Sequence, residues 1–278
     1  MTQAIQAFAP GNLSCFFVIY DHEDVRWKGS TGCGFTVNKG VIVTVSKSDI
    51  TKIIFNREEM ELNPVLYVLE KLEVPPVHVE IVTELPLSSG FGLSGASALA
   101  TAYAVNALFG LGKSMRELAI LAHMADVVCK TGLGDVANQY KGGFCVKFEP
   151  SSHFALERLP IDNIPVYVRS YGKLLTASVV GDTNVKEKIN HAGNRALEKV
   201  KKLQESETLT FPKIISLSKT FVLDSGLLQE RVVSKTIEEI EKKGGHASMI
   251  MLGKAIFSDV PFDGSTKLFI SSKNAHLI

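Results

Sequence analysis

From Ser88 to Ser97 the chain reads Ser-Ser-Gly-Phe-Gly-Leu-Ser-Gly-Ala-Ser, three glycines and four serines in ten residues. Residues this small let backbone N–H groups close on an anion, and a helix opening at the same point adds the partial positive charge of its N-terminus. That is phosphate-binding chemistry. A tight strand-to-helix turn needs fewer small residues than this. Downstream, Thr131-Gly132-Leu133-Gly134-Asp135 flanks a carboxylate with glycines, a setting in which the backbone approaches a ligand and the carboxylate faces it as a general base. Asp135 can also cap a helix through Val136 to Tyr140, and the two roles are compatible.

Two common phosphate motifs overlap the glycine-rich segment, and neither fits. Gly90-x-Gly92-x-x-Gly95 matches a dinucleotide fingerprint, but that motif needs a second strand ending in an acid about 20 residues on. Here a second helix follows, and the acid near that distance, Glu117, belongs to the capping box Ser114-Met115-Arg116-Glu117. As a P-loop the segment lacks the lysine, because Ala96 stands in its place. What survives is the physics shared by both motifs, a phosphate held by backbone dipoles at a helix start.

The elements around these residues follow from periodicity. Strands are expected at Ala4–Ala9, Ser14–Tyr20, Phe35–Val45 and Lys52–Asn56, then a helix near Leu62–Leu72. Val77, Val79, Ile81, Thr83 and Leu85 alternate with His78, Glu80, Val82 and Glu84, a half-buried strand that feeds the glycine-rich segment. Helices from about Ser94 to Phe109 and Met115 to Cys129 come next. Beyond Pro160, helices are expected at Val185–Leu203 and Leu227–Lys243, with strands at Ser248–Leu252 and Lys267–Ser271. Pro150, Ser151, Ser152 and Pro160 mark a boundary, giving domains 1–158 and 159–278 of an α+β protein.

Composition narrows the partners. The 278 residues carry 30 Lys+Arg against 29 Asp+Glu, so no global field steers the chain to nucleic acid or an anionic membrane. The uncharged run from Leu85 to Gly112 is too rich in Gly, Ala, Ser and Thr for a membrane span. Four separated cysteines, with no export signal at Met1–Asn12, point to reduced thiols in the cytoplasm.

Three segments resemble the GHMP kinases, which phosphorylate small metabolites with ATP. Ala9-Pro10-Gly11 looks like their N-terminal signature, Pro86 with Gly90 to Ala98 like their phosphate loop, and Gly132 to Gly143 like their catalytic segment, with Asp135 seven residues before Gly142-Gly143. Within that family the finer resemblance is to the archaeal pantoate kinase branch. It adds Ser14-Cys15-Phe16-Phe17, Gly29-Ser30-Thr31-Gly32-Cys33-Gly34, Thr131 to Val136 and Ala247 to Gly253.

The resemblance implies a two-domain α+β fold, with a ribosomal protein S5 domain 2-like N-terminal part and a ferredoxin-like C-terminal part. It also implies phosphorylation of (R)-pantoate to (R)-4-phosphopantoate in archaeal coenzyme A synthesis. Another GHMP substrate (shikimate, homoserine or a mevalonate derivative) is the alternative, as is a non-catalytic regulatory protein that keeps the fold. Asp135 is then the catalytic residue, and Pro86, Gly90, Phe91, Gly92, Leu93, Ser94, Gly95, Ala96 and Ser97 hold ATP.

Relatives bind Mg2+ through a loop serine and a glutamate. Ala96 takes the serine's place, which leaves Ser94 and Ser97 with Asp126 as expected ligands. Ser30, Gly32, His123 and Gly134 are the expected substrate contacts. The substrate carboxylate is left to Arg26, Arg169, Arg195, Lys28 or Lys130, and Asn12 falls where some relatives carry a cation. Gly244 to Ser248 is expected to close the cleft. Homodimerisation is left open.

Overall fold

Seventeen residues, Ala4–Tyr20, run as one strand, β1, where the sequence suggests two. Pro10 and Gly11 do not break it. Register shifts between Pro10 and Asn12 and between Ser14 and Phe16 absorb the proline as bulges, which is where a strand tolerates a residue without an N–H. The computed structural model describes residues 3–150, 154–172 and 183–278, so Ser151 and Ser152 of the expected boundary lie outside the described residues.

The partner strand β2 (Gly29–Lys47) is longer than expected and antiparallel to β1 throughout. Its second half pairs with β5 (Val77–Thr83), and its first half pairs with β6 (Phe144–Lys147). β5 alternates buried and more exposed positions along its length, as its sequence predicts. β3 (Lys52–Phe55), β4 (Glu58–Glu59) and β7 (Glu157–Arg158) complete the sheet together with β12 (His276–Leu277), which returns to pair with β1. A second, antiparallel sheet has the order β11 (Thr266–Phe269), β8 (Pro165–Ser170), β10 (Ala255–Ser258), β9 (Ala247–Met249).

The uncharged run becomes α2 (Leu93–Phe109), packed against β1, β2, α1 (Asn63–Lys71) and α3 (Met115–Val128). Its alanines are buried around most of its circumference, so it is a core helix whose small side chains let its neighbours come close. Among the described residues no helix is long and apolar enough to cross a membrane. The predicted capping box opens α3, with Ser114 N–H donating to Glu117 at 2.8 Å. After α4 (Asp135–Lys141) come α5 (Thr183–Glu205), α6 (Phe211–Asp224) and α7 (Arg231–Lys242). α6 is absent from the periodicity reading, and residues 227–230 precede α7 instead of belonging to it. α5 and α6 also pack on β1, joining the second sheet's helices to the first sheet.

Candidate active site

A cleft of about 340 Å³ opens where β1 and β2 meet the loop before α2 and the α3–α4 connection. The loop leaves β5 at Thr83 and enters α2 through Gly92, whose φ of 62° is left-handed and suits glycine. A Cβ on Gly92 would also lie 3.0 Å from Asp135 Cγ. The missing side chain therefore lets the helix start and the expected base share one small space. Gly90, Phe91, Leu93, Ser94 and Gly95 line the cleft with Gly92.

Three expected loop residues do not reach it. Pro86 is exposed at the loop's beginning, while Ala96 and Ser97 are buried in the first turn of α2. Ser97 Oγ donates to the Leu93 carbonyl at 2.7 Å, a back-bond within the helix, so of the two expected serine ligands Ser94 faces the cleft, which Ser88 also lines.

Asp135 opens α4 from the first helical position, where Gly134 is the N-cap. It does not cap the helix: its Oδ1 accepts from Asn12 Nδ2 at 2.6 Å. The helix is short because Gly142 and Gly143 end it. Arg158 donates to the Lys141 carbonyl at 2.6 Å and the Gly142 carbonyl at 3.0 Å, satisfying its last carbonyls with a cation.

The second carboxylate, Asp126 in the last turn of α3, is fully buried, and its Oδ1 accepts from Thr131 Oγ1 at 2.5 Å. A Cβ on Gly132 would overlap Asp126 Oδ2 and lie 3.1 Å from Asp135 Oδ2, so both carboxylates converge on that glycine. Burial, then the negative charge of Asp135, pushes the Asp126 carboxyl up to about 7. Burial also raises Asp135, opposed by hydrogen bonds from Asn12 and Ser14. No described cation forms an ion pair with either acid.

Ser30, Gly32 and Gly134 line the same cleft, with Ser30 against Gly134. His123 lies behind that wall. Its Nε2 is 2.8 Å from the Lys28 carbonyl and donates to it, and its ring packs edge-on to Phe154. Burial lowers its pKa to about 4, so it is neutral.

The expected arginines are engaged elsewhere: Arg26 with Asp24 at 2.5 Å, Arg169 with Asp263 at 3.3 Å, and Arg195 with Asp224 at 2.6 Å. Lys28 pairs with Asp21 at 3.0 Å. Lys130 lines the cleft, and so does Lys147, a residue the sequence reading passed over. Burial lowers the Lys147 ammonium to about 8. Its one sequence signal is a lone lysine ending the apolar run Phe144-Cys145-Val146. Gly244 to Ser248 does not line the cleft; Met251 and Leu252 do.

A helix N-terminus, two facing carboxylates and two lysines in one cleft can hold a polyphosphate, a divalent cation and a small anionic acceptor. The N-terminal domain of the GHMP kinases matches residues 62–143. Across 91% of its length the chain is 31% identical to a pantoate kinase of Methanospirillum hungatei, covering 86% of that protein. It is 34% identical to one of Thermococcus kodakarensis, covering 91% of the chain and 87% of the relative. A solved structure described as a phosphotransferase related to the coenzyme A biosynthesis pathway superposes with a TM-score of 0.84 at 29% identity, covering 99% of this chain and 98% of that one.

The chain belongs to the GHMP kinase superfamily. Within it, three pantoate kinases are 30–34% identical to the chain over about nine-tenths of its length.

Proposed function

We propose that this chain transfers the γ-phosphoryl group of ATP to the primary hydroxyl of (R)-pantoate, giving (R)-4-phosphopantoate for coenzyme A synthesis in the cytoplasm. The observation that carries the reading is the meeting, in one cleft, of the α2 N-terminus, Asp135 and two lysines, in a chain alike over its length to pantoate kinases. Phosphoryl transfer needs little covalent chemistry from a protein and much positioning.

The backbone N–H groups from Gly90 to Gly95 receive the phosphates of ATP. Asp135 orients the acceptor hydroxyl and takes its proton. Lys147, with Lys130, receives the carboxylate of the acid, and Ser30 and Gly134 shape the wall beside it. Arginine is the usual partner for a carboxylate, but a partly desolvated lysine supplies a strong point charge where a small anion must be held.

Mg2+ fits this site. Asp126 offers a buried carboxylate whose burial calls for a positive partner, Ser94 adds a hydroxyl, and Asp126 Oδ2 lies where a side chain on Gly95 or Gly132 would crowd it, so the two glycines leave that oxygen room. Among the described residues no three acidic, histidine or cysteine side chains cluster, so Asp126 and Ser94 would hold the ion together with oxygens of ATP and water. The ion, when bound, neutralises charge on the transferring group.

A panel of hydroxy acids assayed for ADP release tests the reading. Pantoate is expected to be consumed in preference to shikimate, homoserine and mevalonate; turnover of one of these without pantoate would overturn it.

A further inference from the structure

Asn12 is 1% exposed, a polar side chain inside the first sheet where an apolar one would cost nothing to bury. Its backbone N–H and both ends of its side-chain amide are engaged. The backbone N–H donates to the Phe91 carbonyl at 2.9 Å, which ties β1 to the phosphate loop. Side-chain Oδ1 accepts from Asn138 Nδ2 at 2.9 Å, and Nδ2 donates to Asp135 Oδ1 at 2.6 Å and approaches Ser14 Oγ at 3.4 Å.

The Asp135 carboxylate, an acceptor, and the Asn138 amide, a donor to Oδ1, agree on which way the Asn12 amide points. With Oδ1 occupied by a donor, the –NH2 end must face the carboxylate; flipped, two acceptors would oppose each other. Asn138 lies one turn along α4 from Asp135, so the helix supplies both the base and the donor that aims its partner. The bulge between Pro10 and Asn12 turns the Asn12 side chain to this place.

We infer that Asn12 is a positioning residue for the phosphoryl transfer: its amide, aimed by Asn138, fixes the rotamer of Asp135 while its backbone fixes the phosphate loop, so that base and phosphates keep one register. An amide does this without adding a charge beside the substrate. The inference rests on Asp135 being the base of the proposed kinase.

Kinetics and side-chain amide NMR on the full chain test it together. Asn12→Leu, isosteric but without a donor, is expected to lower kcat at least about tenfold with both KM values within about twofold, as misplacement of a base does. Asn138→Leu should lower kcat less, and the double variant should be no worse than Asn12→Leu alone, because the two act in one chain. Asn12→Ser, too short to reach Asp135, serves if the leucine variant does not fold.

In wild type, one Asn12 side-chain amide proton should be shifted downfield and slow to exchange. Asn138→Leu should return it toward a free amide. Wild-type kcat in a folded Asn12 variant, additive losses in the double variant, or an amide proton indifferent to Asn138→Leu would each overturn the inference. A wild-type protein without activity on pantoate would instead strike the substrate assignment, and the amide signal would still decide the role of Asn12.

Discussion

Asp126 and Asp135 face each other across Gly132, where a side chain would overlap the first carboxylate and crowd the second. A buried acid and a half-buried one so arranged, with no described cation paired to them, are unfavourable in the free protein. Ligands that bring positive charge or a proton acceptor's partner to this point relieve that cost.

Asp135→Ala is expected to reduce kcat by at least about a hundredfold, the lower end for loss of a general base, with ATP affinity nearly unchanged. Steady-state kinetics with separate nucleotide titration checks both halves.

The Asp126 carboxyl, pushed to about 7 by burial and by Asp135, predicts a pH-dependent demand for Mg2+. Below that value the metal must displace a proton, so the Mg2+ concentration for half-maximal rate should rise as pH falls through 7 and level off above it. Asp126→Asn should raise that concentration throughout and flatten its pH dependence, in rate measurements at saturating ATP and acid.

Lys147→Met should raise KM for the acid by roughly ten- to a hundredfold, the worth of a hydrogen bond to a charged group, and leave KM for ATP within about twofold. Lys147→Arg should recover part of the loss. Initial rates with each substrate varied separate the two effects.

His123 makes stability depend on pH. Its pKa is lowered in the folded chain to about 4 from 6.5, so between these values the unfolded chain binds more protons. The stability it contributes is present above about pH 6.5 and is lost as pH falls toward 4. Urea melts should show His123→Asn less sensitive to pH in that window than wild type.

Local signals were legible where local physics decides the outcome. The alternation in β5, the capping box of α3 and the small residues opening α2 each act within one turn or a few strand residues. Long-range placement was not legible in this way. β1 continues through Pro10 because β2 supplies a bulged register, and Lys147 reaches the cleft because β6 pairs with Gly32–Phe35. Ser97 is textually as good a ligand as Ser94, but the helical turn aims it back at Leu93. The helix Phe211–Asp224, absent from the sequence reading, carries Pro212 in its first turn, where a proline is tolerated.

Incubation of the purified chain with ATP, Mg2+ and (R)-pantoate, followed by 31P NMR, tests the central claim most directly. One ADP and one phosphomonoester on the pantoate C4 oxygen should form per acid consumed, and none with Asp135→Ala. ADP formed without a pantoate phosphomonoester, or no reaction with pantoate while another hydroxy acid is phosphorylated, would contradict it.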